Sequence, residues 1–428
     1  MTVPHLSTAQ KGPLLALEQS ILDNQATIEA WFRSKWVQHQ TPFYGSVDLR
    51  NSGFKLAPVD LNLFPGGFNN LNTELLPLAV AAAQSAVEKV CPEAKSVLII
   101  PENHTRNTYY LENIYALKHI LDQAGFKVRF GSLNPEVTEP TTFKTALDHD
   151  VLLEPLVRVG NRVTLADGFN PCLVLLNNDL SAGTPAILEG VEQHIYPPLH
   201  GGWTFRKKTQ HFAAYDQVAA EFAELIGIDE WMINPYFEGC SGLDFQARAG
   251  EDELAASVDR VLAKIKAKYE ANGISEDPFV IVKADAGTYG MGVMSVKSGE
   301  EVRGLNRKNR NKMAVVKEGL EVSEVIVQEG VYTFEEVDGA VAEPVVYMMD
   351  RFVIGGFYRV NNGRGVDENL NASGMHFVPL SFECAGLPDK AATPHCAPNR
   401  FYAYGVLARL SLLAAALELE ATDPQLAK

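Results

Sequence analysis

The chain has 428 residues, 46% of them hydrophobic and 21% charged, and a formal net charge of −16. That length exceeds what one ordinary hydrophobic core holds, so two or three packed lobes are expected. The composition is that of a soluble globular protein, and the acidic balance argues against generic binding to nucleic acid or anionic membranes while leaving room for local nucleotide sites.

Five scattered cysteines (Cys91, Cys172, Cys240, Cys384 and Cys396) suit a reducing cytoplasm better than a disulfide framework. The first residues lack the basic and long apolar regions of a signal peptide. Residues 12–38 place Leu14, Leu17, Ile21, Leu22, Ile28 and Phe32 near helical spacing and predict one or two amphipathic helices. In residues 46–62, SVDLRNSGFKLAPVDLN, alternating residues on either side of Asn51-Ser52-Gly53 predict a hairpin. Arg50 and Lys55 flank its turn and read as solvated charges.

The return strand carries Asp60 and Asn62 into a loop containing Pro65, Gly66 and Gly67. Strand residues two apart share a face, with Cα atoms roughly 6.5–7 Å apart. A carboxylate and an amide oxygen so placed can converge on Mg²⁺, which takes hard oxygen ligands. Free N–H groups in the loop would face an anionic substrate. The same pattern also reads as a strand end with polar capping.

Residues 71–90 predict a helix, 96–101 (SVLIIP) a buried strand, 102–126 a second helix and 127–133 another strand. This alternation implies a parallel sheet. Glu102, Asn103, Arg106 and Asn107 fall at the carboxyl end of the first strand, where open α/β sheets bind ligands. A helix start capped by Asn103 or Thr105 explains them equally. Further strands in residues 151–180 end at Asn177-Asn178-Asp179, residues 195–202 read as a connector, and Lys207 and Lys208 open a helix. Cations there oppose the helix dipole by roughly 0.3–1 kcal/mol each, which a phosphate would offset. A solvated pair is the simpler alternative.

After a charged helix at 252–272 comes FVIVKADAGTYGMGVMSV, in which a strand at 279–282 delivers Lys283, Gly287, Gly290 and Gly292 follow, and a second strand starts at Val293. No Lys-Ser/Thr closes the loop, and a strand rather than a helix follows, so neither the P-loop nor the dinucleotide fingerprint fits. The pattern suits a hairpin flap over a triphosphate with Lys283 as counter-charge, or an ordinary glycine-rich hairpin. A strand at 324–332 runs into Gln328 and Glu329, a candidate adenine-edge hinge. Residues 344–361 predict a hairpin turning near Asp350-Arg351, with Arg359 on the return strand, followed by the polar loop GRGVDENLNASG. Cys384, His395 and Cys396 lack an obvious fourth zinc ligand. Two apolar stretches, 75–90 and 401–417, fall short of about 20 uninterrupted apolar residues and read as core helices.

In this order the elements resemble the ATP-grasp ligases, in the circularly permuted arrangement of eukaryotic-type glutathione synthetases. Asp60-Leu61-Asn62 matches that family's E-I-N strand, Arg106-Asn107 its R-N helix start, and Lys207-Lys208-Thr209-Gln210 its K-K-x-Q start. Val282-Lys283 through Gly292 matches its lysine and glycine loop, residues 327–331 its hinge, and Arg359 with Asn371-Ala372-Ser373-Gly374 its late arginine and Ala/Gly loop. Over essentially all 428 residues the chain resembles still more closely a proteobacterial glutamate–cysteine ligase family.

The resemblance implies an α/β protein with a parallel-sheet substrate lobe. Residues 1–95 would form the first part of the catalytic core, 96–200 the substrate lobe, and 201–428 the nucleotide lobes and C-terminal helix. It implies a cytoplasmic enzyme that uses ATP and Mg²⁺ to join glutamate, through an acyl phosphate, to cysteine. Asp60, Asn62 and Asp285 would hold the metal, and Lys208, Lys283, Gly287, Gly290 and Gly292 the phosphates. Gln328, Glu329 and Val331 would meet the nucleotide. Gly66, Gly67, Asn107, Arg359, Ala372, Ser373 and Gly374 would contact substrate, with Arg359 and Lys283 catalytic. Pro65 and Gly67 replace the synthetases' loop serines, and no clear counterpart exists for their metal-binding glutamate after the lysine; Asp285 is the nearest carboxylate. A glutathione synthetase or other amino-acid ligase, and a nucleotide-binding regulator without catalysis, are the alternatives.

Overall fold

The computed structural model describes residues 6–7, 13–287, 292–315, 321–380 and 397–426. It is a mixed α/β structure built on three sheets. The first is antiparallel and joins the two ends of the chain. The predicted hairpin forms from Tyr44–Asn51 and Leu56–Asn62, and its first strand pairs with the second half of Ala340–Met349. Ala340–Met349 in turn pairs with Phe352–Asn361, which carries Met375–Pro379 at the edge.

Strand alternation gives this sheet two different faces. Val47, Leu49, Leu61, Val346, Met348, Tyr358 and Val360 form one, in a core shared with Phe401, Leu407 and Leu410 of the helix Ala397–Thr422. Residues 400–422 of that helix are long and apolar enough to cross a membrane, but 83% of the apolar window is buried inside the protein. A helix apolar all round belongs in a core, and this one is there. The other face carries Ser46, Asp48, Asp60, Asn62, Glu343 and Arg359, which register pairing places together.

The second sheet has the predicted parallel core: Leu173–Asn177, Ser96–Pro101, Lys127–Ser132 and Asp150–Val159. Helices Leu76–Val90 and Thr108–Gln123 cover it with Ala82, Ala86, Leu111, Ile114 and Leu117. The stretch expected as a connector contains a short strand, His194–Tyr196, parallel to Leu173–Asn177. The helix expected to begin near residue 102 begins at Thr108, capped by Asn107 and not by Asn103 or Thr105. The third sheet is antiparallel, in the order Phe237–Ser241, Glu324–Glu329, Val280–Ala284, Val293–Val296.

Two expectations fail outright. Arg50 and Lys55 are not solvated: both are buried, Lys55 to 1% exposure. Lys55 Nζ donates to the Asn234 carbonyl at 2.8 Å, pairs with Glu329 at 2.9 Å and lies 4.5 Å from the centre of the Trp231 ring. Nor are the cysteines without a bridge. Cys91 and Cys172 form a disulfide that ties the end of Leu76–Val90 to the residue preceding Leu173–Asn177. Cys240 is buried and free. Cys384, His395 and Cys396 lie outside the described residues.

Candidate functional site

A cavity of about 910 Å³ lies where the polar face of the first sheet meets the carboxyl end of the parallel sheet and the inner face of the third. Its floor comes from register. Asp48 stands opposite Asp60, Ser46 opposite Asn62, and Glu343 opposite Arg359. Directly opposed residues share a face, so these six converge although they span more than 300 positions in sequence. The register slips between Asp48 and Leu49, leaving Val59 unpaired in the ladder. Such a bulge turns backbone groups out of the ladder, and the Val59 carbonyl accepts from Lys283 Nζ at 2.7 Å.

Charge on this floor is tightly paired. Glu343 bridges Arg50 Nε at 2.8 Å and Arg359, and Arg359 also donates to Asp48 at 2.8 Å. Burial alone would raise the Glu343 carboxyl, but the two guanidinium groups hold it below the usual range. Burial raises Asp48 against the pull of Arg359. Arg359 Nε is buried without a hydrogen-bond partner among the described residues.

Asp60 pairs with Lys208 at 3.2 Å, and although burial acts to raise it, Lys208 and Lys283 hold it below the ordinary carboxylate value. Lys208 opens the helix Lys208–Ile226 and rests 4.0 Å from the centre of the Trp203 ring. Its neighbour Arg206 fixes that helix start by donating to the Leu61 carbonyl and to both oxygens of Glu418. Lys283 also donates to Gln328 Oε1 at 2.8 Å. Burial pushes Lys283 down to about 8, with Asp60 pulling it up and Lys208 pushing it down.

Of the residues singled out from sequence, Asp60, Asn62, Gly66, Gly67, Asn107, Lys208, Lys283, Gly287, Gln328, Glu329, Val331 and Arg359 all line this one cavity. Others require correction. Asp285 does not join Asp60 and Asn62: its carboxylate accepts from the Thr209 N–H and hydroxyl, both at 2.8 Å, capping the Lys208–Ile226 helix from outside. The Glu329 carboxylate is turned onto Lys55, the Trp231 indole and the Tyr236 N–H, so it cannot also address a nucleotide. Ala372, Ser373 and Gly374 do not line the cavity. The carbonyls of Ala372 and Ser373 turn to Asn361, and Asn369, Asn371 and His376 make that wall. The loop amides are not all free, because Gly67 and Phe68 both donate to Asn113. Asn62 Oδ1 accepts from the Phe64 N–H at 2.9 Å, which is the polar strand end that the sequence left open. Gly287 and Gly292 both have positive φ, as a tight loop requires; Gly290 lies outside the described residues.

Sequence reasoning missed Asp48, Arg50, Glu343, Asn113, Asn177 and Tyr347. A signal existed for Asp48, since counting back across the hairpin turn sets it near Asp60. None existed for Glu343, which reaches the site by long-range pairing alone.

The donors suit a hard cation. Asp60 and Asp48 offer carboxylate oxygens on one face, and Asn62 Oδ1 keeps a second lone pair. Among the described residues no three or more His, Cys, Asp or Glu side chains form a metal-binding group. Any Mg²⁺ would therefore be completed by substrate and water oxygens, its common mode.

A family model described as glutamate-cysteine ligase matches residues 18–419. A crystal structure from Methylobacillus flagellatus KT, provisionally named gamma-glutamylcysteine synthetase, is 64% identical, with a TM-score of 0.92 over 99% of this chain and 100% of that one. D-alanyl-alanine synthetase A of Vibrio cholerae is 11% identical, with a TM-score of 0.34 over 74% of this chain and 81% of that one. A glutathione synthetase-like effector of Globodera pallida is 10% identical, with a TM-score of 0.38 over 86% and 79%. Superpositions at those two scores establish no common fold. No curated protein gave a match.

Proposed function

The chain belongs to the glutamate-cysteine ligase family, and from that premise we propose how its cavity joins L-glutamate to L-cysteine. The reaction links the γ-carboxylate of glutamate to the amine of cysteine, the first step of glutathione synthesis. Forming that amide at neutral pH requires an activated carboxylate, and ATP supplies it. A γ-carboxylate oxygen attacks the terminal phosphorus, ADP leaves, and an acyl phosphate results. The cysteine amine then adds to the acyl carbon. The tetrahedral intermediate collapses by expelling phosphate, and the amine proton is released.

The residues' work is positioning and charge neutralisation. Lys208 and Lys283 neutralise the phosphates from the helix side and the third sheet. Asp60, Asn62 and Asp48 would hold Mg²⁺, which when bound would screen the phosphate oxygens from one another. Arg359, held in place by Asp48 and Glu343, directs its guanidinium toward the acyl phosphate. Ile281, Gln328 and Val331 form the nucleotide wall, and Gly66 and Asn107 the amino-acid side.

The arrangement proposed is the circularly permuted ATP-grasp, with lobes at 1–95, 96–200 and 201–428. The pairing of residues 44–48 with 345–349 supports it, because an early strand completes a sheet supplied by the end of the chain. The family match over residues 18–419 carries the functional reading. Its test is phosphate release with glutamate plus cysteine, compared with γ-glutamylcysteine plus glycine. Release with the first pair and not the second is expected. The reverse would make the chain a glutathione synthetase, and release with neither would remove the ligase assignment.

A further inference from the structure

We infer that Asn113, backed by Asn177, is the positioning residue that shapes the 65–68 loop so that the Gly66 N–H meets the amino-acid carboxylate. The inference rests on the ligase reading above and adds to it a residue, an atom and a role.

Four backbone groups of this loop, one on each of residues 65–68, are fixed by side chains from elsewhere. Asn177 Nδ2 donates to the Pro65 carbonyl at 2.8 Å, and the Tyr347 hydroxyl donates to the Gly66 carbonyl. Asn113 Oδ1 accepts from the Gly67 N–H at 2.7 Å and from the Phe68 N–H at 3.0 Å. Asn113 Nδ2 then donates to Asn177 Oδ1 at 3.1 Å, so the two amides act as one bracket. Both are about 2% exposed. Asn113 comes from the helix Thr108–Gln123, and Asn177 from the carboxyl end of a central parallel strand. The bracket thus fastens a loop of the first sheet to the parallel-sheet lobe.

Gly66 is what the bracket presents. It is exposed, lines the cavity, and its N–H has no hydrogen-bond partner among the described residues. A Cβ built on it would meet only Asn113 Nδ2, at 3.9 Å. The 65–66 peptide is trans, so this N–H points opposite to the Pro65 carbonyl and therefore away from buried Asn177. A preorganised amide of that kind suits a small carboxylate.

The test uses the full-length enzyme with glutamate, cysteine and ATP varied in turn. In Asn113→Ala two loop N–H groups lose their acceptor. With both N–H groups left without an acceptor, the KM for glutamate should rise by about tenfold or more while that for ATP stays within about twofold. Asn113→Asp keeps the oxygen that accepts from both N–H groups but sets a second oxygen against Asn177 Oδ1, so it should restore part of the glutamate KM; a merely structural asparagine would show no such split or rescue. Hydrogen exchange across residues 64–70 in the substrate-free Asn113→Ala variant should quicken, with the parallel sheet unchanged. A glutamate KM within twofold of wild type, or an equal rise in the ATP KM, would overturn the inference. If Asn113→Ala does not fold, Asn113→Asp decides alone: a glutamate KM raised as far as the ATP KM would overturn it. If wild-type enzyme releases no phosphate with glutamate and cysteine, the ligase reading has failed instead, and unchanged exchange at 64–70 would then independently overturn the bracket.

Discussion

Lys283 gives the sharpest quantitative expectation. Burial lowers it to about 8, and its contacts in the structure are the Val59 carbonyl, the Gln328 amide oxygen and the field of Asp60. Below about pH 8 the ammonium is present and can neutralise a phosphate; above it the amine is neutral. A group with this value is about nine-tenths charged at pH 7 and about one-tenth charged at pH 9. If nucleotide binds only the charged form, the Kd for a non-hydrolysable ATP analogue should rise by up to about tenfold per pH unit above 8. Titration calorimetry between pH 6.5 and 9.5 reads this directly, free of the titration of the cysteine substrate. Lys283→Arg keeps its charge throughout and should flatten the alkaline limb. Lys283→Met should weaken binding by roughly 10–100-fold at pH 7, the worth of a charged hydrogen bond, and remove the pH dependence. An alkaline limb that persists unchanged in Lys283→Arg would refute the assignment of Lys283 to the phosphates.

Four further outcomes follow from particular contacts. Asp60→Ala should reduce turnover by roughly 10²–10³-fold with folding intact, the usual loss for one preorganised electrostatic group; near-normal turnover at saturating Mg²⁺ would make Asp60 structural. Glu343→Ala leaves buried Arg50 with only the Val331 and Glu368 carbonyls and Arg359 with only Asp48, and circular dichroism should show a destabilisation of up to about 3 kcal/mol. Gly66→Val should raise the glutamate KM by crowding the cavity, whereas Gly67→Val should damage folding, because Gly67 has φ +109° and its Cβ would lie 2.9 Å from the Tyr347 hydroxyl; equal behaviour of the two in a thermal melt would contradict this. A non-reduced digest analysed by mass spectrometry should contain a peptide pair joined through Cys91 and Cys172, and its absence from protein purified without reductant would remove that bridge.

What could be read from the chain beforehand was whatever rests on local pattern. Strict alternation around Asn51-Ser52-Gly53 located the hairpin, and the apolar runs at 96–101 and 173–177 located the parallel strands. Asp60 and Lys283 were singled out near strand ends, and Lys208 and Arg359 through the family resemblance, and the structure brings all four to one cavity. Misreadings arose where tertiary partners decide. Arg50 and Lys55 look solvated beside a turn, but Glu343 and Glu329 arrive from almost 300 residues away and allow both to be buried. Asp285 and Glu329 carry the right chemistry in the right neighbourhood, yet donors distant in sequence, Thr209 and Trp231, claim their oxygens. The bracket of Asn113 and Asn177 lies across two elements whose spacing says nothing about their meeting.

The most direct test of the central claim follows one oxygen atom. Glutamate labelled with heavy oxygen in its γ-carboxylate, incubated with cysteine, ATP and Mg²⁺, should give γ-glutamylcysteine and inorganic phosphate carrying one labelled oxygen. That transfer requires the γ-carboxylate to have been phosphorylated on the enzyme. Dipeptide formed with unlabelled phosphate would contradict it.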